Sequence, residues 1–282
     1  MATFTAVGPA VSLDGPLPVA PRHSLLNTPG VVKERDATRV LNGVNVYSYP
    51  TGCPALWEPC SDGTFRTKAN DSDWPLPRFD AIVVYQGVTC STISVGGDPE
   101  EFFGRIETVL DATLSSGVER ALAEGVPTSS NPFFGDGNVE LPTGSTAVSA
   151  GVALSYLENA IGETCRKGML HFTPAVIASL QAFPIGDNAA DRILETANGT
   201  PVVSGDGYIG VENTGGLGAA NIHESWSFAT GPVEVYLGPV VARSPKEVID
   251  RGTNEVEYFA ERYVLAVWDT ALQAAVLVDW TT

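Results

Sequence analysis

Gly205, Gly207 and Gly210 match G-x-G-x-x-G and follow the strand-like run PVVS, which is the first half of a dinucleotide-binding fingerprint. The second half is missing. The chain continues as VENTGGLGAANIHE, a Gly- and Asn-rich loop that offers no helix N-terminus to a pyrophosphate. A flexible turn between strands accounts for the glycines better. His23, His171 and His223 are spread over the whole chain, none in H-E-x-x-H or paired-ligand spacing, and neither a G-x-S-x-G elbow nor a P-loop occurs. The acids Glu100, Glu101, Asp187 and Asp191 read as solvated helix starts and loops, since no motif fixes them beside a nucleophile or base. Cys53, Cys60, Cys90 and Cys165 are spaced too irregularly for a zinc site or, in a chain this long, a disulfide framework; they are expected to be reduced thiols that mostly pack. Asn70-Asp-Ser72 and Asn198-Gly-Thr200 match the glycosylation sequon, which is idle without a secretory route. No catalytic, metal or cofactor residue is therefore expected, and an enzyme has no positive support.

The totals narrow the class further. At 282 residues the chain can form one large domain or two interleaved ones, because single cores stop growing near roughly 250–300 residues. It is 44% hydrophobic and 17% charged, too apolar for disorder. No run approaches the roughly 20 unbroken apolar residues of a membrane span. The N-terminal MATFTAVGPAVSLDGPLP has neither a basic leader nor an apolar h-region, so folding in a cytoplasm is expected. A net charge of −17 argues against gripping nucleic acid by phosphate neutralisation.

The elements that would position any site follow from pattern. Residues 1–40 carry Pro9, Pro16, Pro18, Pro21 and Pro29 without periodicity and read as an extended arm outside the compact core. VNVYSYP (44–50) and AIVVYQGVTCSTISV (81–95) read as strands flanking a long exposed loop that holds Trp57, Phe65 and Trp74. Asp98, Pro99 and Glu101 form a helix start, with a capping residue, a proline at the first helical position and a capping-box acid. Phe103, Ile106, Leu110, Leu114, Val118 and Leu122 then make one stripe that Gly125 ends. Such a helix is a rod of roughly 39 Å. A second helix is expected over 147–168, with Leu154, Leu157 and Ile161 inward, then a strand in GMLHF and a short helix capped by Thr173 and Pro174. From residue 200 the chain turns to strands, with a turn at Gly231 and Pro232, and a closing hairpin that bends over Asp269 to Gln273. Strands, helices and strands without regular βαβ alternation predict an α+β fold.

This order, together with ATLSSGVERALAEG (112–125) followed by NPFFGD and with NEVEYFAERYVLAVWDTALQAAVLVD (254–279), resembles the Hong Kong 97 type major capsid proteins of tailed bacteriophages over nearly the whole chain. The resemblance implies an N-terminal arm over 1–40, strands over 41–95 around an extended loop at about 50–80, a spine helix and peripheral domain over 96–145, an axial domain over 146–225, and return strands of the peripheral domain over 226–282. It also implies a non-enzymatic subunit that self-assembles as pentamers and hexamers into an icosahedral head around double-stranded DNA, in a virion assembled in the bacterial host cytoplasm. Loop residues Trp57, Phe65, Arg66, Lys68 and Trp74 are the implied inter-subunit contacts. Implied partners are further copies of the chain, a separate scaffolding protein, a portal and a decoration protein; packaged DNA lies nearby without sequence-specific binding, and no membrane is involved. An encapsulin-type nanocompartment shell shares the fold and is the nearest alternative, followed by another virion structural protein such as a tail-tube or decoration protein. A hydrolase or oxidoreductase with an unrecognised site is the remaining class.

Some members of that family weld subunits by an isopeptide bond between a loop Lys and an Asn near the C-terminal strand. The matching pair here is Lys68 and Asn254, although an exposed Lys more often only solvates its loop. Assembled particles are expected to give a single monomer band on a denaturing gel; a ladder of covalent oligomers would establish the bond.

Overall fold

The computed structural model describes residues 16–33, 42–47, 76–91, 99–144, 146–180, 185–188, 193–208, 217–218, 220–243, 249–250 and 255–282. In chain order these form a 3-10 turn (Leu25–Asn27), β1 (Val44–Asn45), β2 (Arg78–Phe79), β3 (Ile82–Ser91), α1 (Pro99–Glu124), β4 (Val148–Ser149), α2 (Ala150–Glu163), β5 (Met169–Phe172) and α3 (Pro174–Ser179). They continue through β6 (Ile185–Asn188), β7 (Ile193–Thr196), β8 (Pro201–Ser204), a 3-10 turn (Asp206–Tyr208), β9 (Glu224–Thr230), β10 (Val233–Arg243), β11 (Ile249–Asp250), β12 (Glu255–Trp268) and β13 (Gln273–Asp279).

The stripe on α1 decides the packing. Ile106, Leu110, Leu114, Val118 and Leu122 are all buried, as their spacing requires, and Gly125 follows the helix with φ +77°, the left-handed value that suits a helix C-terminus. The helix lies on an antiparallel sheet in which β12 pairs with β3 along one edge and with β10 and β11 along the other. It approaches β3 closely at Gly117, where a Cβ would fall 2.8 Å from Val84 Cγ1. Arg262 of β12 joins the layers, donating to the Gly238 carbonyl at 2.7 Å and to Asp111 of α1 at 3.4 Å.

The second sheet has seven strands in the order β4-β13-β9-β5-β8-β7-β6, antiparallel except for the β13–β4 and β5–β8 pairs. Leu154, Leu157 and Ile161 of α2 pack with Leu170, Phe172, Val202, Ala229, Ala274, Val276 and Val278 of this sheet. Met169, Val203, Phe228 and Ala275 point into the core shared with α1 and the first sheet. Burial of both faces is why MLHF and PVVS read as unbroken apolar runs. Thr173 caps α3 by accepting from the Val176 N–H, with Pro174 next in the chain, as expected.

Three expectations need correction. The closing segment is not a paired hairpin: β12 belongs to the first sheet and β13 to the second, and the chain likewise changes sheets between β9 and β10 at Gly231 and Pro232. The two crossings lie side by side, with the Gly231 N–H donating to the Leu272 carbonyl and no room for a Cβ, which would sit 2.6 Å from Asp269. A local pattern of strand, turn and strand cannot say which sheet each strand joins. The second helix is also shorter than 147–168, because Val148 and Ser149 pair with β13 before the helix begins. Finally, the second part of the arm does enter the core, with Leu25 and Val31 fully buried.

Replacing Leu110 at the centre of the stripe by Ala is expected to cost about 3 kcal/mol in urea unfolding. Leu17→Ala, in the exposed stretch of the arm, should stay within about 0.5 kcal/mol of the parent. Equal midpoints for the two variants would mean that the stripe is not the core.

Candidate functional site: a buried carboxylate and an uncovered sheet face

Glu119 lies beside the apolar stripe of α1 and is completely buried. Its Oε1 accepts from the Leu25 N–H at 2.8 Å and from the Ser115 hydroxyl at 2.9 Å, and its Oε2 accepts from the Gly207 N–H at 3.1 Å. Ser115 Oγ in turn accepts from the Leu26 N–H at 3.1 Å. Burial pushes the Glu119 carboxyl above its ordinary range and nearby Asp206 adds to that, while the three hydrogen bonds pull it down. Around this carboxylate meet the arm, the long helix and the turn that follows β8.

The same carboxylate explains the glycine motif. A Cβ on Gly205 would fall 2.3 Å from the Glu119 carboxyl, and one on Gly207 would fall 2.3 Å from the Ser116 carbonyl oxygen. The first two glycines are there to let a turn close onto α1, so the turn is docked, contrary to the flexible reading; Gly210 lies outside the described residues. The sequence did carry a signal: Ser115 and Glu119 stand one helical turn apart next to the stripe, where a solvated acid is out of place.

His171 of β5 is the second buried polar centre. Its Nδ1 is 2.9 Å from the Tyr208 hydroxyl and its Nε2 is 2.9 Å from Thr230 Oγ1. Because the Thr230 hydroxyl donates to the Gly231 carbonyl, this pattern assigns the ring proton to Nε2, with Nδ1 accepting from Tyr208. Phe134 packs on the ring at 4.7 Å between centroids. Burial lowers the His171 pKa to about 3 and raises that of Tyr208, so both are neutral around pH 7 and act as core hydrogen-bond partners.

The outward face of the first sheet is different in kind. Tyr85, Val83, Tyr263 and Val241 are all exposed, Tyr85 at 66%. Register places Val83 opposite Tyr263, and Tyr85 and Val241 both opposite Glu261, on the side of β12 away from α1. Their alternates, Tyr258, Ala260 and Val264, are buried. Four apolar side chains on one pleated face form a patch of the kind that contacts use.

The contact candidates Trp57, Phe65, Arg66, Lys68 and Trp74, together with the pair Lys68 and Asn254, lie outside the described residues. The stem of their loop is described: β1 pairs with β2, and the Val46 N–H donates to the Pro77 carbonyl, so the loop leaves and returns through paired backbone. Cys165 is disulfide-bonded, which corrects the reduced-thiol expectation for that residue. His223 packs against Trp280, with ring centroids 6.4 Å apart, and has no bond to either buried centre among the described residues. Asn198 and Thr200 of the sequon donate to Glu158 of α2, pinning the β7–β8 turn. Among the described residues no group of His, Cys, Asp and Glu could hold a metal ion, and no helix is long and apolar enough to cross a membrane.

No protein-family model matches the chain, and no curated protein matches it. Solved structures do. Against the structure of phage G gp27 major capsid proteins and gp26 decoration proteins the TM-score is 0.55 at 12% identity, over 99% of this chain and 99% of that one. The capsid of the native GTA particle gives 0.54 at 14% identity, over 96% and 95%. A structure from Mycobacterium phage Che8 gives 0.51 at 12%, over 99% and 97%. At such identities the likeness establishes the fold, a mixed helix-and-sheet fold shared with capsid-protein structures.

His171 sets an acid limit on stability. Its folded-state value lies below the ordinary 6.5, so its contribution is complete above about pH 6.5 and is lost as pH falls toward 3, by roughly 3 kcal/mol at pH 4. Glu119, shifted upward, contributes in the opposite sense, more at low pH than at high. Chemical denaturation between pH 7 and 4 is therefore expected to fall less steeply for His171→Asn than for the parent; parallel curves would show that His171 is not buried in neutral form.

Proposed function

We propose that this chain is the shell subunit of a tailed-phage head, a major capsid protein of the Hong Kong 97 type. The observation that carries this reading is likeness in fold over nearly the full length of both chains to the phage G and GTA capsid structures. In this reading residues 1–40 are the arm, 50–80 the extended loop and 146–225 the axial domain, while α1 is the spine helix of a peripheral domain completed by the later strands. Subunits associate as pentamers and hexamers, and the shell encloses double-stranded DNA. The role is structural and not catalytic.

The physics supports the assignment in three ways. The uncovered face of β3, β12 and β10 exposes apolar surface that a lone subunit has no use for and that neighbouring copies would cover. Repetition around a closed shell turns modest contacts into a stable assembly. A charge of −17 suits a lining that repels DNA rather than one that binds it. Trp57, Phe65, Arg66, Lys68 and Trp74 are the loop contacts in this scheme. A separate scaffolding protein, a portal and a decoration protein complete the particle, which forms in the cytoplasm of a bacterial host. An encapsulin-type compartment would use the same shell and differ in its contents.

Electron microscopy of the purified protein, alone and with neighbouring genes co-expressed, is expected to show closed shells or rings of five and six subunits. A compact monomer under all these conditions would overturn the proposal. Tyr85→Glu sets a second carboxylate opposite Glu261 on the uncovered face and should reduce the yield of assembled particles by about tenfold, with the unfolding midpoint of the subunit unchanged. Assembly at the parental yield would remove that face from the contact surface.

A further inference from the structure

Residues 16–33 are attached to the rest of the molecule in an uneven way. Two apolar anchors, Leu25 and Val31, are fully buried. Between and around them the backbone makes a short series of bonds: Leu25 N–H to Glu119, Leu26 N–H to Ser115, the His23 carbonyl accepting from the Ser204 N–H, and Val31 and Lys33 pairing with Val235 of β10. Against these stand two buried polar atoms, His23 Nδ1 and Ser24 Oγ, that have no hydrogen-bond partner among the described residues. Such atoms oppose docking, since in water both would be solvated. A segment held by a short series of bonds against such an internal penalty opens more easily than the same segment would without it.

The two carboxylate oxygens of Glu119 serve different segments. Oε1 holds the arm at Leu25 directly and at Leu26 through Ser115, whereas Oε2 holds the turn after β8 at Gly207. Gly205 and Gly207 leave no space between the turn and the helix, so the turn meets this carboxylate with no slack. If the arm lifts away, water reaches Oε1, the carboxylate is free to turn toward it, and the Gly207 N–H loses its acceptor. If the turn lifts, the same group is hydrated from the other side and the Leu25 N–H loses its acceptor.

We propose that residues 16–33 are a releasable strap and that Glu119 couples its release to the loosening of the 205–208 turn, so that whatever displaces either segment frees the other. The coupling is reciprocal, because one carboxylate is shared by both docked states. It joins residues 25–26 to the turn more than 170 residues later through a side chain of α1, beside the direct bond from the Ser204 N–H to the His23 carbonyl. The inference concerns one subunit and stands whether or not the chain builds shells.

Hydrogen exchange by mass spectrometry on the full chain tests it. Ser115→Ala removes the hydroxyl that bridges the Leu26 N–H and Glu119, and none of the bonds it loses is to the turn. Exchange is expected to rise about tenfold in peptides covering 22–28 and also at 205–208, beyond the Ser204 N–H that the arm itself holds, with β5 and β13 unchanged. Gly207→Ala, which forces the turn off the helix, is expected to raise exchange in 22–28 by a similar factor. Faster exchange confined to the mutated segment, or a uniform rise that includes β5 and β13, would overturn the coupling. Glu119→Gln presents an amide N–H to donors and should open both segments together; protection of either one at the parental level would likewise overturn it.

Discussion

A carboxylate placed within the apolar side of a long helix cannot be buried alone. Either it stays in water and keeps that side of the helix open, or the surrounding chain brings donors to it. Here the donors come from two backbone N–H groups and one hydroxyl around Glu119, and much else follows from that requirement. Leu25 must reach α1, which draws the arm into the core. Gly207 must reach it as well, which excludes side chains at both Gly205 and Gly207. The turn that results carries Tyr208 down to His171, so the second buried polar centre depends on the first.

Around this point the molecule is organised by a sheet buried on both faces. Helix α2 covers one face, and the core shared with α1 covers the other. The first sheet has no such double cover: α1 lies on one side, and Tyr85, Val83, Tyr263 and Val241 are open on the other. That asymmetry separates internal stability from surface available to other molecules. The two polar centres of the interior are satisfied by the chain itself, whereas the apolar groups of the outer face are left open.

Much of the helical architecture was legible from residue order. The α1 stripe, its start at Pro99 and its end before Gly125, the inward residues of α2, and the Thr173–Pro174 start of α3 are consequences of side chains a few positions apart, and they appear where the pattern put them. The expected strands in GMLHF and PVVS appear as well. The missed features involve distant partners. Glu119 was not singled out among the acids, since its three donors include Leu25, 94 positions away, and Gly207, 88 positions away. The closing β12 and β13 looked like a hairpin because alternation marks a strand without naming its neighbour.

By itself, the sequence determined the types and approximate extents of the main elements, the α+β class and the absence of any recognised catalytic pattern, because periodicity, capping and turn chemistry act over a few residues. Only the tertiary structure decided that β9 and β13 lie in the second sheet while β10 and β12 lie in the first, that two glycines of an apparent nucleotide motif make room for a carboxylate, and that the arm docks through His23 and Leu25. Each of those depends on which surfaces meet when two sheets and a long helix close on one another. Such meetings are set by the packing of residues far apart in the chain, and no local pattern encodes them.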